Sequence, residues 1–342
     1  MKITKLFIIR FLLFGGTIVS LFFVPWLLVR AWIMPLPDSI QEVLDEGINY
    51  GLDGMIVYVD QGGNPPEFYA AGWKDRDEKL PADPHSLFKI ASINKLYDAV
   101  SITKLVGRGQ LSLDGTVADY FPELVDQIAY ADEITLRMLI GHRSGIPNYT
   151  DTPDYWTRPS TNYEEALDLI KDVPPLFKPD EDYAYCNTNY LLLGKLIEKT
   201  TGKNTFGFFR ENILNPLNLK NTYASVNDVN LDDVMGGYHK GYQPNLKAND
   251  QGMLATAEDV GIFLRALNDG SIFEDDEQEI YASIYEFNHS GWVLGYQSFA
   301  EYHADIDTVV ILFNNTTDND LLLWNLSEIL NGRILKILKN RS

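Results

Sequence analysis

Three serines in one short stretch each stand three residues ahead of a lysine: Ser86 and Lys89, Ser92 and Lys95, Ser101 and Lys104. The pairing has a chemical meaning. A serine hydroxyl becomes a nucleophile when a neighbouring base takes its proton, and a lysine serves as that base where its surroundings favour the neutral amine. Residues i and i+3 share a helix face, so any of the three pairs could touch. Position, rather than spacing, chooses among them. Ser92 stands where FKIA gives way to the helical pattern of SINKLYDAVSITKLVGRG, at or near a helix cap. Free N–H groups and the positive end of the dipole there stabilise a developing alkoxide by roughly 0.3–2 kcal/mol. Ser101 lies on the same helix but, at about 100° per residue, faces the opposite side. Ser86 precedes the helix in a turn or an extended approach. Both are expected to be structural serines.

Other chemistries are disfavoured. Cys186 is the only cysteine, so no intrachain disulfide or C-x-x-C site exists, and the thiol reads as structural. The five histidines form no H-E-x-x-H motif, so neither a metal nor a redox cofactor is expected. His142 in GHRSG reads as structural, as do His85, His239 and His303. No G-x-S-x-G elbow is present, which argues against an α/β-hydrolase esterase. The first 37 residues hold four basic residues and no acid, so the net charge of −20 becomes −24 over the remainder. Such a surface repels phosphate backbones and excludes nucleic acid as a partner.

Elements must now position the pair. Phe11 to Val29 is a run of 19 residues without a charge, nearly long enough to span a bilayer as one helix. Lys2, Lys5 and Arg10 precede it and Arg30 alone follows, which places the N-terminus in the cytoplasm and the rest outside. Residues 1–34 are therefore expected to be a cytoplasmic stub and a single-pass membrane anchor, with residues 7–30 in the membrane, and residues 38–338 an extracytoplasmic catalytic domain. Residues 38–48 pattern as an amphipathic helix, 54–60 and 66–75 as a hairpin, and 280–287, 295–303 and 307–315 as late strands. Helical signatures fill the middle. The expectation is an α+β fold in which both chain ends build one antiparallel sheet (38–91 and 280–338), flanked by helices, with a mostly helical insertion (92–279).

The segment FKIASINKL (88–96) resembles the nucleophile helix of the serine β-lactamase and penicillin-binding protein superfamily. LSLDGTVADYFPEL (111–124), ITLRMLIGHRSGIPNY (134–149), YAYCNTNYLLLGKLIEKTTG (183–202), GMLATAEDVGIFLRAL (252–267) and HSGWVLGY (289–296) follow in the order of the class C branch. The resemblance implies a β-lactamase/transpeptidase-like fold, Ser92 as nucleophile and Lys95 as its partner. It implies Tyr185 as a proton relay and Asn187 as a hydrogen-bonding partner of Lys95 or substrate. It matches His289, Ser290 and Gly291 to the third motif, with the backbone N–H groups of Ser92 and Trp292 as oxyanion donors. Dedicated class C β-lactamases carry Lys-Thr-Gly there, so His289 points instead toward the D-alanyl-D-alanine carboxypeptidase, amidase and esterase members. The implied substrate is a β-lactam, a D-Ala-D-Ala-type peptide or a small ester, and the expected anchoring outside the cytoplasm favours cell-wall-derived material. The rival is a binding or sensor module that does not turn over.

Overall fold

The computed structural model describes residues 5–341 except 154, 161, 243 and 251. Its centre is a six-stranded antiparallel sheet. Strands β1 (Gly54–Gln61), β2 (Glu67–Asp75) and β3 (Leu80–Pro81) come from the N-terminal side. Strands β4 (His289–Val293), β5 (Tyr296–His303) and β6 (Thr308–Asn314) come from the C-terminal side. The order is β3-β2-β1-β6-β5-β4, so the two chain ends meet at the β1–β6 seam and β4 forms an edge.

Side chains alternate across this sheet with period two. Met55, Val57 and Val59 of β1, with Val310 and Leu312 of β6, face helices α3 (Ile40–Asn49) and α9 (Leu322–Arg341). Ile56 and Tyr58, with Val309, Ile311 and Phe313, face the larger core under the helical insertion. That insertion holds α4 (Asn94–Gly107), α5 (Asn187–Thr201), α6 (Thr205–Phe209), α7 (Ala257–Asn268) and α8 (Glu277–Ala282). Sequence signals set their ends. Ser39 caps α3 by accepting the Glu42 N–H at 3.2 Å, and Gly202 ends α5 in the left-handed region at φ 70°.

Two expectations need correction. Residues 280–287 are not a strand: α8 ends at Ala282 and turns lead to Asn288. Aromatic and β-branched content suggested a strand, but the buried side chains Tyr281 and Ile284 are spaced for a helix, and Tyr281 packs between Phe273 and Phe287. The second correction concerns the apolar N-terminus. It does not form one helix. α1 (Lys5–Leu21) and α2 (Trp26–Ile33) meet at 79°, and among the described residues no single helix is long and apolar enough to cross a membrane. Pro25 lacks an N–H and crowds the preceding turn, while the Trp26 indole donates to the Leu21 carbonyl at 2.9 Å. α2 then packs on α9. Arg333 donates to the carbonyls of Ala31, Met34 and Pro35 and to the Glu46 carboxylate, which fastens this segment to the domain. Lys2 lies outside the described residues.

Candidate active site

The approach to Ser92 is anchored before the helix begins. Phe88 stacks on Phe313 of β6 with ring centroids 4.4 Å apart, and the Ile90 N–H bonds the Met253 carbonyl. Ala91 then takes φ 50°, a left-handed conformation a non-glycine residue rarely adopts. Ser92 follows in a short 3-10 turn, Ala91–Ile93, that runs into α4. The serine is thus inside the first turn, not at the cap, which belongs to Ile90. The strained residue lies immediately before the one reactive-looking hydroxyl, as expected where a turn is over-determined by its surroundings.

The three serine–lysine pairs separate cleanly. Lys89 is fully buried and gives its ammonium protons to the carbonyls of Leu246 and Asn249, 2.6 Å from each. Lys104 is buried against Glu277 at 2.9 Å and the Ile272 carbonyl at 2.8 Å. The hydroxyls of Ser86 and Ser101 are buried without hydrogen-bond partners among the described residues. Only Lys95 meets its serine, with Nζ 3.3 Å from the Ser92 Oγ.

Lys95 also donates to the Asn187 Oδ1 at 2.8 Å. Asn187 is oriented from behind: its Nδ2 donates to Thr150 and its backbone N–H to the Asn148 side chain, each at 3.0 Å. The Tyr185 ring centroid lies 5.0 Å from the Lys95 Nζ, and the residue is partly exposed and lines the cavity. Tyr185 and Asn187 face the lysine, whereas Cys186 turns inward, buried, with its thiol donating to the Ile146 carbonyl. Burial pushes that thiol up, so it is not a thiolate nucleophile.

His142 holds the Tyr185–Asn187 segment. Its Nδ1 accepts the Cys186 N–H at 3.0 Å, and its ring lies 4.4 Å from that of Tyr185. Burial, with lesser repulsion from Lys95 and His289, lowers it to about 3, so it stays neutral. His142 thus has a positioning duty that no motif signalled, and its Nε2 is buried without a hydrogen-bond partner among the described residues.

β4 brings the third group. A Cβ on Gly291 would come within 2.5 Å of the Ser298 Oγ and 2.6 Å of the Ile90 carbonyl, so only glycine lets this edge abut the nucleophile turn. His289 donates from Nδ1 to the Ser290 carbonyl at 2.5 Å and accepts the Tyr285 hydroxyl at Nε2, 2.9 Å away. Burial and then Lys95 lower its pKa to about 4. It is neutral at physiological pH and supplies no positive charge. Trp292 meets Trp156 edge-on at 5.4 Å.

Ser92, Lys95, Tyr185, Asn187, His289, Ser290 and Trp292 all line one cavity of about 1150 Å³. Its walls are aromatic, including Tyr149, Tyr155, Trp156, Tyr163 and Trp292. Its acidic lining residues, Asp98, Asp151, Glu198 and Asp250, outnumber the basic Lys95 and Lys195. Several lining residues escaped the sequence reading, among them the aromatic side chains of Tyr155, Trp156 and Tyr163 and, closest to the pair in sequence, Asp98, buried on α4 three residues beyond Lys95. Its three-residue spacing from Lys95 places it on the same helix face, but nothing in the sequence marks its carboxylate as buried. No group of histidine, cysteine or acidic residues suited to a metal occurs among the described residues.

A serine and lysine one turn apart, an Asn bonded to the lysine, and a glycine-bearing edge strand on an α+β sheet together mark a β-lactamase/transpeptidase-like architecture. Residues 36–283 match the Beta-lactamase family, and the chain belongs to it. Among curated proteins it is 26% identical over 210 residues to Protein flp of Staphylococcus aureus (strain MW2), covering 60% of this chain and 42% of that protein. It is 28% identical over 180 residues to Penicillin-binding protein 4* of Bacillus subtilis (strain 168), covering 52% of this chain and 39% of that one. The chain thus spans less than half the length of these relatives. Among solved structures, D-amino acid amidase from Ochrobactrum anthropi SV3, complexed with L-phenylalanine amide, matches with a TM-score of 0.78 at 24% identity, covering 89% of this chain and 98% of that one. A penicillin binding protein from Bacillus halodurans matches with a TM-score of 0.73 at 19% identity, covering 86% and 98%. At these identities the likeness establishes the fold.

Proposed function

We propose that this protein is a serine hydrolase that cleaves an amide or ester through an acyl-enzyme on Ser92. The observation that carries the reading is the Lys95 amine, bonded to both Ser92 and Asn187 at the wall of an aromatic cavity. The Ser92 Oγ attacks the substrate carbonyl while its proton passes to Lys95, directly or by way of the Tyr185 hydroxyl. Backbone N–H groups of Ser92 and Trp292 receive the oxyanion, each worth about 2.7–4 kcal/mol in such a transition state. The proton returns to the leaving group, and water or an amine or alcohol acceptor then releases the acyl group. No cofactor is needed for this sequence.

The neutral His289 and the acidic lining favour a substrate without a carboxylate beyond the scissile bond. An amide of a D-amino acid or a small ester fits better than a β-lactam or a D-Ala-D-Ala peptide, both of which carry one. The aromatic walls suit an apolar or aromatic acyl side chain, and the amidase neighbour, seen with a phenylalanine amide, supports this preference. As part of the same reading, α1 tethers the chain to the cell membrane with the catalytic domain on the extracytoplasmic side. Leu13, Phe14, Val19, Phe22 and Phe23, exposed along and just after α1, support it. Cell-wall fragments are then within reach as substrates.

A side-by-side panel tests the choice: a chromogenic β-lactam, a D-Ala-D-Ala peptide, a short-chain ester and a D-phenylalanine amide. Turnover of the amide or ester well above that of the two carboxylate substrates is expected. A preference for the β-lactam, or a stable adduct with no turnover of any substrate, would overturn it.

A further inference from the structure

Ser92, Lys95 and Asp98 succeed one another at intervals of three residues, so they lie along one face at the start of α4, and all three line the same cavity. Asp98 is only 4% exposed. Its carboxyl group has no hydrogen-bond or ion-pair partner among the described residues, and Lys95 is the one basic side chain that acts on it. A buried, unpaired carboxylate is costly, and an apolar side chain at this position would pack at no such cost. A purely structural role is therefore poorly served by this residue.

We propose that Asp98 completes a Ser92–Lys95–Asp98 line in which its carboxylate stabilises the ammonium that Lys95 becomes on taking the Ser92 proton. In that step the Ser92 O–H bond breaks and an N–H bond forms on Lys95. The electron pair left on Oγ forms the bond to the substrate carbonyl carbon. Asp98 exchanges no proton; it is a positioning residue acting through Lys95, as the carboxylate of a Ser-His-Asp triad acts through its histidine. The inference rests on Ser92 being the nucleophile.

The surroundings leave this role to Asp98. From α5 it meets Tyr190, whose hydroxyl is committed to the Ile140 carbonyl at 3.1 Å. α6 contributes Phe206 and Phe209 and has no ionisable residue. On α8, Tyr281 donates to the Glu286 carbonyl and Glu277 is paired with Lys104. Near Lys95, the Tyr185 and Tyr190 rings lie 5.0 and 5.1 Å from its Nζ, and His142 and His289 are held neutral. Burial raises Asp98 to about 7, with Lys95 opposing the rise, so the carboxylate is present above that pH and is lost below it.

The test measures the rate at which a fluorophosphonate labels Ser92 in the full chain, across the pH range in which the protein stays folded. The wild-type rate is expected to fall as pH drops through about 7. Asp98→Asn is expected to lower the rate above that pH by about 100-fold or more and to abolish the acid limb assigned to Asp98. It should also raise the Tm at alkaline pH, because the folded-state pKa lies above the unfolded value and the ionised form therefore costs stability there. Asp98→Glu should recover part of the rate. Labelling of Asp98→Asn at the wild-type rate and pH profile would overturn the proposal, since the amide mimics the protonated acid. A pH-independent loss accompanied by a lower Tm would overturn it as well, marking a packing role. Wild-type protein unlabelled at Ser92 would sink the nucleophile assignment and this inference with it, a result distinguishable from failure of Asp98 alone.

Discussion

A lysine beside a serine is useful only if nothing else occupies the lysine. Lys89 and Lys104 show the alternative, since each spends its ammonium on carbonyls or a carboxylate far from its serine partner. Lys95 alone is shared between a serine and an amide side chain within a cavity. The same scale governs specificity. By the motif resemblance, His289 corresponds to the lysine of dedicated class C β-lactamases, and burial keeps it uncharged above about pH 4. His289→Lys should therefore speed acylation by a penicillin, with a gain of about 5- to 30-fold from a new charge-assisted contact of 1–2 kcal/mol to its carboxylate, read as the rate of fluorescent-penicillin labelling. No gain in that rate would show that the residue does not face the carboxylate. Much at this scale was legible. The order of motifs pointed to Ser92, Lys95, Tyr185 and Asn187, and the structure brings these four together. Asp98 was not legible, because a buried carboxylate and a surface one look alike in a sequence. The positioning duty of His142 was hidden for a similar reason: its partner, the Cys186 N–H, belongs to the backbone and leaves no mark in residue types.

At the scale of elements, the site depends on an edge strand pressed against a turn. Ser298 donates to the Ile90 carbonyl at 2.8 Å, which ties β5 to the nucleophile turn, and Gly291 lets β4 lie between them without a side chain. Gly291→Ala should cost about 1–3 kcal/mol, as overpacking does, and should slow labelling of Ser92 by pushing β4 from the turn. A thermal melt and the labelling rate check both parts; an unchanged rate would free the site from this contact. Elements were less legible than residues. β-Branched runs and turn signals located β1, β2, β5 and β6, and capping residues located α3 and α5. Residues 280–287 misled because Ile and Tyr favour strands, whereas the packing of Tyr281 against Phe273 and Phe287 decides for a helix. The apolar run from Phe11 to Val29 misled for another reason. Hydropathy carries no information about the Arg333 guanidinium, some 300 residues later in the chain, that gathers the end of α2 onto the domain.

For the whole molecule, one sheet joins the chain ends and the helical insertion supplies most of the cavity wall. β1 and β6 pair over seven residues at the seam, so the nucleophile turn and the edge strand that faces it are both fixed to one rigid support. The family match and the amidase-like fold agree with that architecture. Everything proposed about chemistry, from the neutral-substrate preference to the role of Asp98, stands on one covalent event at one oxygen. The direct measurement is intact-mass and peptide analysis of the full chain after reaction with a fluorophosphonate, run beside Ser92→Ala. A single adduct on Ser92, absent from the variant, is the expected result. An adduct on another residue, or undiminished labelling of Ser92→Ala, would contradict the assignment.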